Sequence, residues 1–326
     1  MQDTRLDRLC FGCGPIGGLA AASGETGPEH AEEIAVAAVE AAWECGLRSF
    51  DTAPSYGDGA AERLLGTALR GLPRDRFTVS GKVGRRTMAI ADPYRLDGAA
   101  ARREPRFDFT AAGVRRTVET SLERLGLDRL DTVFLHDPDD LLGPALDEAV
   151  PALHELRRAG AVGAIGVGTT RPRAAQALVA AGAVDTVMIA GEWNLMRRSA
   201  ATLLARCQEA GVPVLAAAPY ASGLLAVARP GPGLPYLYRA PSPWLLEAAG
   251  RMADRCRRHG AELPQAAIQF PLRHPAVTQV VVGMRDAGEV VANAARFTTD
   301  LPEALWAELD TLWAGLGTPP GEPVPT

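Results

Sequence analysis

Lys82 closes an apolar run, FTVSGKVGR, at a point where a β-strand should end. An ammonium in such surroundings needs a matching charge. Asp51 ends the preceding apolar run in RSFDTAPSYG, with Tyr56 five residues further on, and a third run, DTVFLHD, reaches His136. One amine, one acid, one phenol and one imidazole at the ends of successive strands form a proton-transfer set. A phenol with an ordinary pKa of ~10 is a slow proton donor at neutral pH. A neighbouring ammonium favours the phenolate and makes the phenol a better acid. Lys82 suits that task, Asp51 can hold the ammonium, and His136 can hydrogen-bond a carbonyl or alcohol oxygen. The set supplies no electrons, so a redox role requires a bound hydride carrier. Taken singly, each residue has a plain structural role: an ion pair, a strand-end histidine, a surface tyrosine. Their succession at strand ends favours the site.

The elements that must position these groups follow a regular alternation. Short apolar runs predict strands at Leu9–Cys13, Arg48–Asp51, Phe77–Lys82, Thr132–His136, Val162–Val167, Thr186–Ala190, Val212–Ala217 and Thr278–Val282. Amphipathic helical stretches separate them, near Ala31–Cys45, Ala60–Arg70, Ala111–Leu125, Ala145–Ala159, Arg173–Ala181, Ser199–Ala210, Pro243–His259 and Ala287–Ala295. Glycine closes several helices before the next strand, as in ECGLRSF, AGAVGAIGV and EAGVPVLAA. Eight strand-then-helix units without a composition break predict an α/β fold, a (β/α)8 TIM barrel forming a single domain over residues 1–316. A doubly wound sheet is the alternative, but it should carry a phosphate-binding glycine fingerprint after its first strand. GCGPIGG has the glycines, yet a Gly-rich stretch is expected to run on to Pro28 before any helix starts.

Three insertions interrupt the spacing. Residues 84–109 hold six arginines (Arg85, Arg86, Arg95, Arg102, Arg103 and Arg106), which could recognise a carboxylate or phosphate; a solvated charge run is the plainer reading. Residues 219–241 are rich in Pro, Gly and Tyr, and residues 261–274 add a helical piece before the eighth strand. The first two fall on the barrel face where active sites are built. A final helix, Pro302–Leu316, precedes the Pro-rich tail 317–326, expected to be extended.

The 326 residues carry a formal net charge of −5, which argues against a nucleic-acid or acidic-membrane partner. No apolar run spans a bilayer and the N-terminus does not read as a signal peptide, so the expected compartment is the cytoplasm. Five scattered cysteines read as free thiols; Cys10 and Cys13 form a C-x-x-C, but nothing completes a metal site.

DTAPSYG followed by AERLLGTAL, then SGKVGR, SLERLGLDRLDTVFLHDP, ELRRAGAVGAIGVG and QFPLRHPAVTQVVVG, resembles the aldo-keto reductase superfamily across essentially the whole chain. KVGRR, FDFTAAGVRRTVETSLERLG, HDPDD and AGEWNLM resemble most the branch of aldose (L-fucose, D-threo-aldose) 1-dehydrogenases and pyridoxal 4-dehydrogenases. The resemblance implies a carbonyl–alcohol oxidoreductase, acting on a sugar or small polar aldehyde or lactol. Tyr56 would be the general acid/base, Lys82 the tuner of its pKa, Asp51 the partner of Lys82, and His136 the residue orienting the substrate oxygen. It also implies a nicotinamide dinucleotide, NAD(H) or NADP(H), bound without a Rossmann domain. A natural-product ketoreductase, a non-redox acid/base enzyme and a cofactor-sensing binding subunit on the same barrel are the alternatives.

The implied cofactor residues depart from the family pattern. Where Ser-Asn commonly grips the nicotinamide carboxamide, GVGTTRP offers Gly168, Thr169 and Thr170; the usual glutamine aligns with Ala190 and the usual stacking aromatic with Ala217. Trp193 or Tyr220 is expected to supply the missing face. The adenine-side clamp resembles the family's through Gly283, Met284 and Asn293, with Arg285 as the only nearby cation and Glu289 where an arginine is frequent. A 2′-phosphate is best held by Arg or Lys, whereas a carboxylate accepts hydrogen bonds from ribose hydroxyls. The balance leans to NAD(H).

Overall fold

The computed structural model describes residues 4–21, 28–90, 102–237 and 239–316. Among the described residues there are ten strands: β1 Leu9–Gly12, β2 Ser49–Asp51, β3 Thr78–Val83, β4 Arg85–Ile90, β5 Arg102–Phe107, β6 Leu130–His136, β7 Val162–Thr169, β8 Thr186–Ala190, β9 Val214–Ala217 and β10 Val277–Gly283. Eight of them pair in parallel and close in the order β1-β10-β9-β8-β7-β6-β3-β2. This is the expected single-domain (β/α)8 barrel.

Parallel strands covered on both faces read as near-continuous apolar runs, and the two faces here serve different cores. Outward-facing Phe50, Val79, Val83, Val133 and Leu135 pack beneath the helices in one large cluster. Inside the barrel a smaller layer of Cys10, Phe134, Met188 and Val281 fills the floor. On β3 the period-two alternation sends Ser80 and Lys82 the same way, and both reach Asp51.

The helices follow from local chemistry. The helix Ala111–Leu125 begins with Thr110, whose side chain accepts from the Gly113 amide, and ends at Gly126. Of the glycines expected to close helices, Gly211 adopts φ 68°, which lets the backbone turn directly into the strand that follows.

Three expectations need correction. A helix, Gly14–Ala21, follows β1 at once, where an irregular stretch to Pro28 was expected. Glycines lower its intrinsic propensity, but it seats buried Ile16 in the core and packs on the helix Ala60–Leu69, so tertiary contact overrides propensity. Within residues 84–109, β4 and β5 form an antiparallel hairpin, pairing Arg85 with Phe107 and Ile90 with Arg102; arginines and Pro105 hide its pattern in the sequence. The helix expected from Ala145 starts at Leu142 and passes through a π-turn, Ala145–Ala149, before Val150–Arg158. The extra helical piece before the last strand is present as Leu263–Gln269 and Phe270–Arg273. Arg95 and the tail 317–326 lie outside the described residues.

Candidate active site

Register places the polar groups at one end of the barrel. Asp51 ends β2 opposite Gly12 and Ser80, Lys82 pairs with Phe134, and His136 ends β6 opposite Gly168. These are the C-terminal ends of parallel strands, the face on which barrel enzymes carry their chemistry. Tyr56 lies in the turn after β2, its amide donating to the Ala53 carbonyl at 3.0 Å.

Lys82 and Asp51 form a buried ion pair, each side chain only 3% exposed. Nζ donates to both carboxylate oxygens at 2.7 and 2.6 Å and to the Thr52 carbonyl at 3.0 Å. Ser80 Oγ donates to the same carboxylate at 2.8 Å, a contact that S-G-K contained but sequence reasoning passed over. Burial works to lower the Lys82 pKa, but Asp51 and Tyr56 outweigh it and hold the ammonium above its ordinary value. Nζ stands 5.1 Å from the centroid of the Tyr56 ring. Tyr56 and His136 meet edge to face, centroids 6.4 Å apart at 87°.

The Tyr56 phenol refines the expected tuning. Burial raises its pKa and outweighs the lowering influence of Lys82, so the net direction is upward. Burial, followed by the charges of Lys82 and Arg85, pushes His136 well below its usual range. At neutral pH the pair is therefore a protonated phenol and a neutral imidazole, able to hold and protonate one oxygen.

Asp51, Tyr56, Lys82 and His136 all line a cavity of about 1050 Å³. It extends from them past Thr169 and Thr170 to Tyr220, Gly283, Arg285, Glu289 and Asn293, gathering most of the expected cofactor residues along one channel. Ala190 and Ala217, the last residues of β8 and β9, line it with small side chains. Asp137, Ala218 and Ser222 on its rim hold positive φ angles of 50°, 59° and 63°, the kind of backbone that clusters at functional sites.

Two expected residues point elsewhere. Trp193 is 9% exposed and outside the cavity lining; its Nε1 donates to the Pro271 carbonyl at 3.3 Å, and its ring packs on Phe270 and His274. The indole is taken up by the helical piece before β10 and offers no face to a nicotinamide. Met284 is fully buried in the outer core, so only its neighbours Gly283 and Arg285 reach the channel.

Others are placed with partners that no spacing revealed. Thr169 lines the channel, but its hydroxyl donates to Asp139 at 2.9 Å and accepts from the Arg171 amide at 2.9 Å. Tyr220 lines the channel, and its phenol donates to Asn293 Oδ1 at 2.7 Å. Burial pushes its pKa up to about 12. Arg285 donates from its backbone amide and from Nε to Glu289, at 2.8 and 2.9 Å.

Residues missed by sequence reasoning complete the wall. Arg296 lines the channel and donates to Asn293 Oδ1 at 3.2 Å, so Arg285 is not the only cation there. Of the arginines at 84–109, Arg85 lines the cavity and bonds Asp137, whereas Arg86 and Arg106 are exposed. Asp137, directly after His136 in the quoted HDPDD, was visible as a neighbour but carried no spacing signal.

A sequence profile described as the aldo/keto reductase family matches residues 8–314. A D-threo-aldose 1-dehydrogenase from Pseudomonas sp is 41% identical over 289 residues, covering 85% of this chain and 87% of that protein. A pyridoxal 4-dehydrogenase from Microbacterium luteolum is 31% identical over 324 residues, covering 92% of each. Among solved structures, the glycerol dehydrogenase of Gluconobacter oxydans superposes with a TM-score of 0.78 at 23% identity, covering 97% of this chain and 94% of that one.

Proposed function

The chain belongs to the aldo/keto reductase family, and from that premise we propose that Tyr56 is the general acid/base of its reaction, with Lys82, Asp51 and His136 as its supporting groups. The activity itself is NAD(P)-dependent carbonyl–alcohol oxidoreduction. The observation that carries the residue assignment is the convergence of a buried Lys82–Asp51 pair, a protonated phenol and a neutral imidazole on one cavity.

The channel residues fit a dinucleotide. The cavity, about 1050 Å³, lies at the upper end of ligand-pocket sizes, and its lining includes hydrogen-bonding groups suited to an adenosine: Asn293, Glu289, Arg285 and Arg296. When bound, the nicotinamide gives or takes the hydride at the substrate carbon. Tyr56 and His136 hold the substrate oxygen, and Tyr56 gives up its proton to that oxygen in reduction. In oxidation the phenolate removes the proton. Lys82 favours the phenolate in either direction, and Asp51 keeps the ammonium in place.

The substrate class we favour is a sugar or small polar aldehyde or lactol, in keeping with the D-threo-aldose 1-dehydrogenase at 41% identity. NAD(H) is the favoured cofactor, because Glu289 already neutralises Arg285, one of the two channel cations that a 2′-phosphate could use, and Arg296 is engaged with Asn293. The odd, scattered cysteine set supports a reducing compartment, the cytoplasm. An absorbance assay of NAD(P)H turnover across aldehydes and aldoses tests the reading. Turnover with NAD(H) and an aldose is expected; tight dinucleotide binding without turnover of any carbonyl would overturn it.

A further inference from the structure

The cavity wall carries a second ion pair beside the proton-transfer set. Arg85, the first residue of β4, donates from Nη1 to Oδ2 of Asp137 at 2.5 Å, and both residues line the cavity. Asp137 follows His136 in a left-handed turn, its amide donating to the Gly168 carbonyl at 2.9 Å. That turn leaves its carboxylate 3.8 Å from Nε2 of His136. The pair therefore adjoins the imidazole of His136, where β4 begins and β6 ends. Arg85 Nε and His136 Nδ1 are buried and have no hydrogen-bond partner among the described residues.

Charge on this side of the cavity is balanced. Asp51 neutralises Lys82, Asp137 neutralises Arg85, and His136 is neutral. An anionic substrate group would find the guanidinium charge already matched, and to form a full charge pair with it would have to displace Asp137. Hydroxyls need no such displacement: each both donates and accepts, and a guanidinium beside a carboxylate presents N–H donors and oxygen acceptors side by side.

We propose that the Arg85–Asp137 pair is the specificity element of this site. It binds neighbouring hydroxyls of a neutral polyhydroxylated substrate, Arg85 donating to one hydroxyl oxygen and Asp137 accepting the proton of the next. This rests on the oxidoreductase reading above. A site built to hydrogen-bond a hydroxyl discriminates against the analogue lacking it, because its own polar groups are then left unpaired.

The test is steady-state kinetics of the full chain with NAD+ on a neutral aldose, its 2-deoxy and 3-deoxy analogues, and the uronic acid that adds a carboxylate. Wild-type protein is expected to favour the aldose over at least one deoxy analogue by about tenfold or more in kcat/KM. Arg85→Met should collapse that ratio toward one, mainly through KM. Asp137→Asn, which tolerates the left-handed turn, should reduce the same ratio and raise the uronic acid relative to the aldose by leaving Arg85 uncompensated. Equal losses on hydroxylated and deoxy substrates in both variants, with the ratio unchanged, would reduce the pair to a structural brace and overturn the inference. A wild-type preference for the uronic acid would overturn it as well. Absence of wild-type turnover on every aldose and simple aldehyde, with either dinucleotide, would instead strike the oxidoreductase reading and the inference with it.

Discussion

Gly17 lies directly against the backbone of Tyr56: a Cβ at position 17 would stand 2.8 Å from both the carbonyl carbon and the carbonyl oxygen of Tyr56. The contact is reciprocal, since a Cβ on Gly57 would stand 2.3 Å from the Gly17 oxygen. The short helix after β1 therefore braces the turn that carries the phenol, and only a residue without a side chain permits that approach.

Gly17→Ala should displace Tyr56 from Lys82 and His136. Misplacement of a reacting group by about 1 Å can cost ~100-fold in rate. A fall in kcat of that order, with dinucleotide affinity changed far less, is expected from kinetics and fluorescence titration. Wild-type kcat would show that the turn does not depend on this contact.

The raised Tyr56 pKa sets the sign of the pH dependence. Its phenol is protonated at neutral pH, as reduction requires, while oxidation requires the phenolate. Oxidation should therefore quicken as pH rises through the alkaline range, and reduction should fade once the phenol ionises. Lys82→Met removes the influence that lowers this pKa, so the alkaline limb should move to higher pH. Tyr56→Phe should cost at least ~100-fold in turnover and leave dinucleotide binding largely intact. A flat oxidation profile from neutral to pH 10 in the wild type would contradict the assignment.

The Lys82–Asp51 pair is buried on both sides, so breaking it leaves an uncompensated charge. Asp51→Asn is expected to destabilise the fold by about 3–5 kcal/mol, measured by urea unfolding. Adding Lys82→Met to that variant should restore much of the loss, because the buried charge is removed with its partner. A double variant no more stable than Asp51→Asn would show that the cost lies in the Ser80 and Thr52 contacts.

Glu289 holds Arg285 through its carboxylate. Glu289→Gln should free the guanidinium for a 2′-phosphate and move the NADP(H)/NAD(H) ratio of kcat/KM upward by about tenfold or more. Glu289→Arg should move it in the same direction. Ratios unchanged in both would place the adenosine ribose away from this turn.

How much of this was legible before the fold is seen differs by residue. Asp51, Lys82 and His136 were legible because strand periodicity and chain order suffice: successive parallel strands put their ends on one face, and alternation sends Lys82 and Ser80 inward together. The helix Gly14–Ala21 was not, since its glycines argue against it and its packing partner lies some forty residues on, at the Tyr56 turn and beyond. Trp193 shows the same limit for a side chain. Its position after β8 suggested a cofactor face, but its indole found Phe270 and the Pro271 carbonyl instead.

Strand order and residue type, read from the sequence alone, determined the barrel, the face that gathers its polar groups and their suitability for proton transfer; the oxidoreductase reading came from the family resemblance. The tertiary structure decided who pairs with whom. It joined Arg85 to Asp137, Arg285 to Glu289 and Tyr220 to Asn293. Periodicity constrains the backbone, so it survives as a pattern along the chain. A charged or polar side chain instead takes the best partner within a few ångströms, and that competition exists only once distant segments have been brought together.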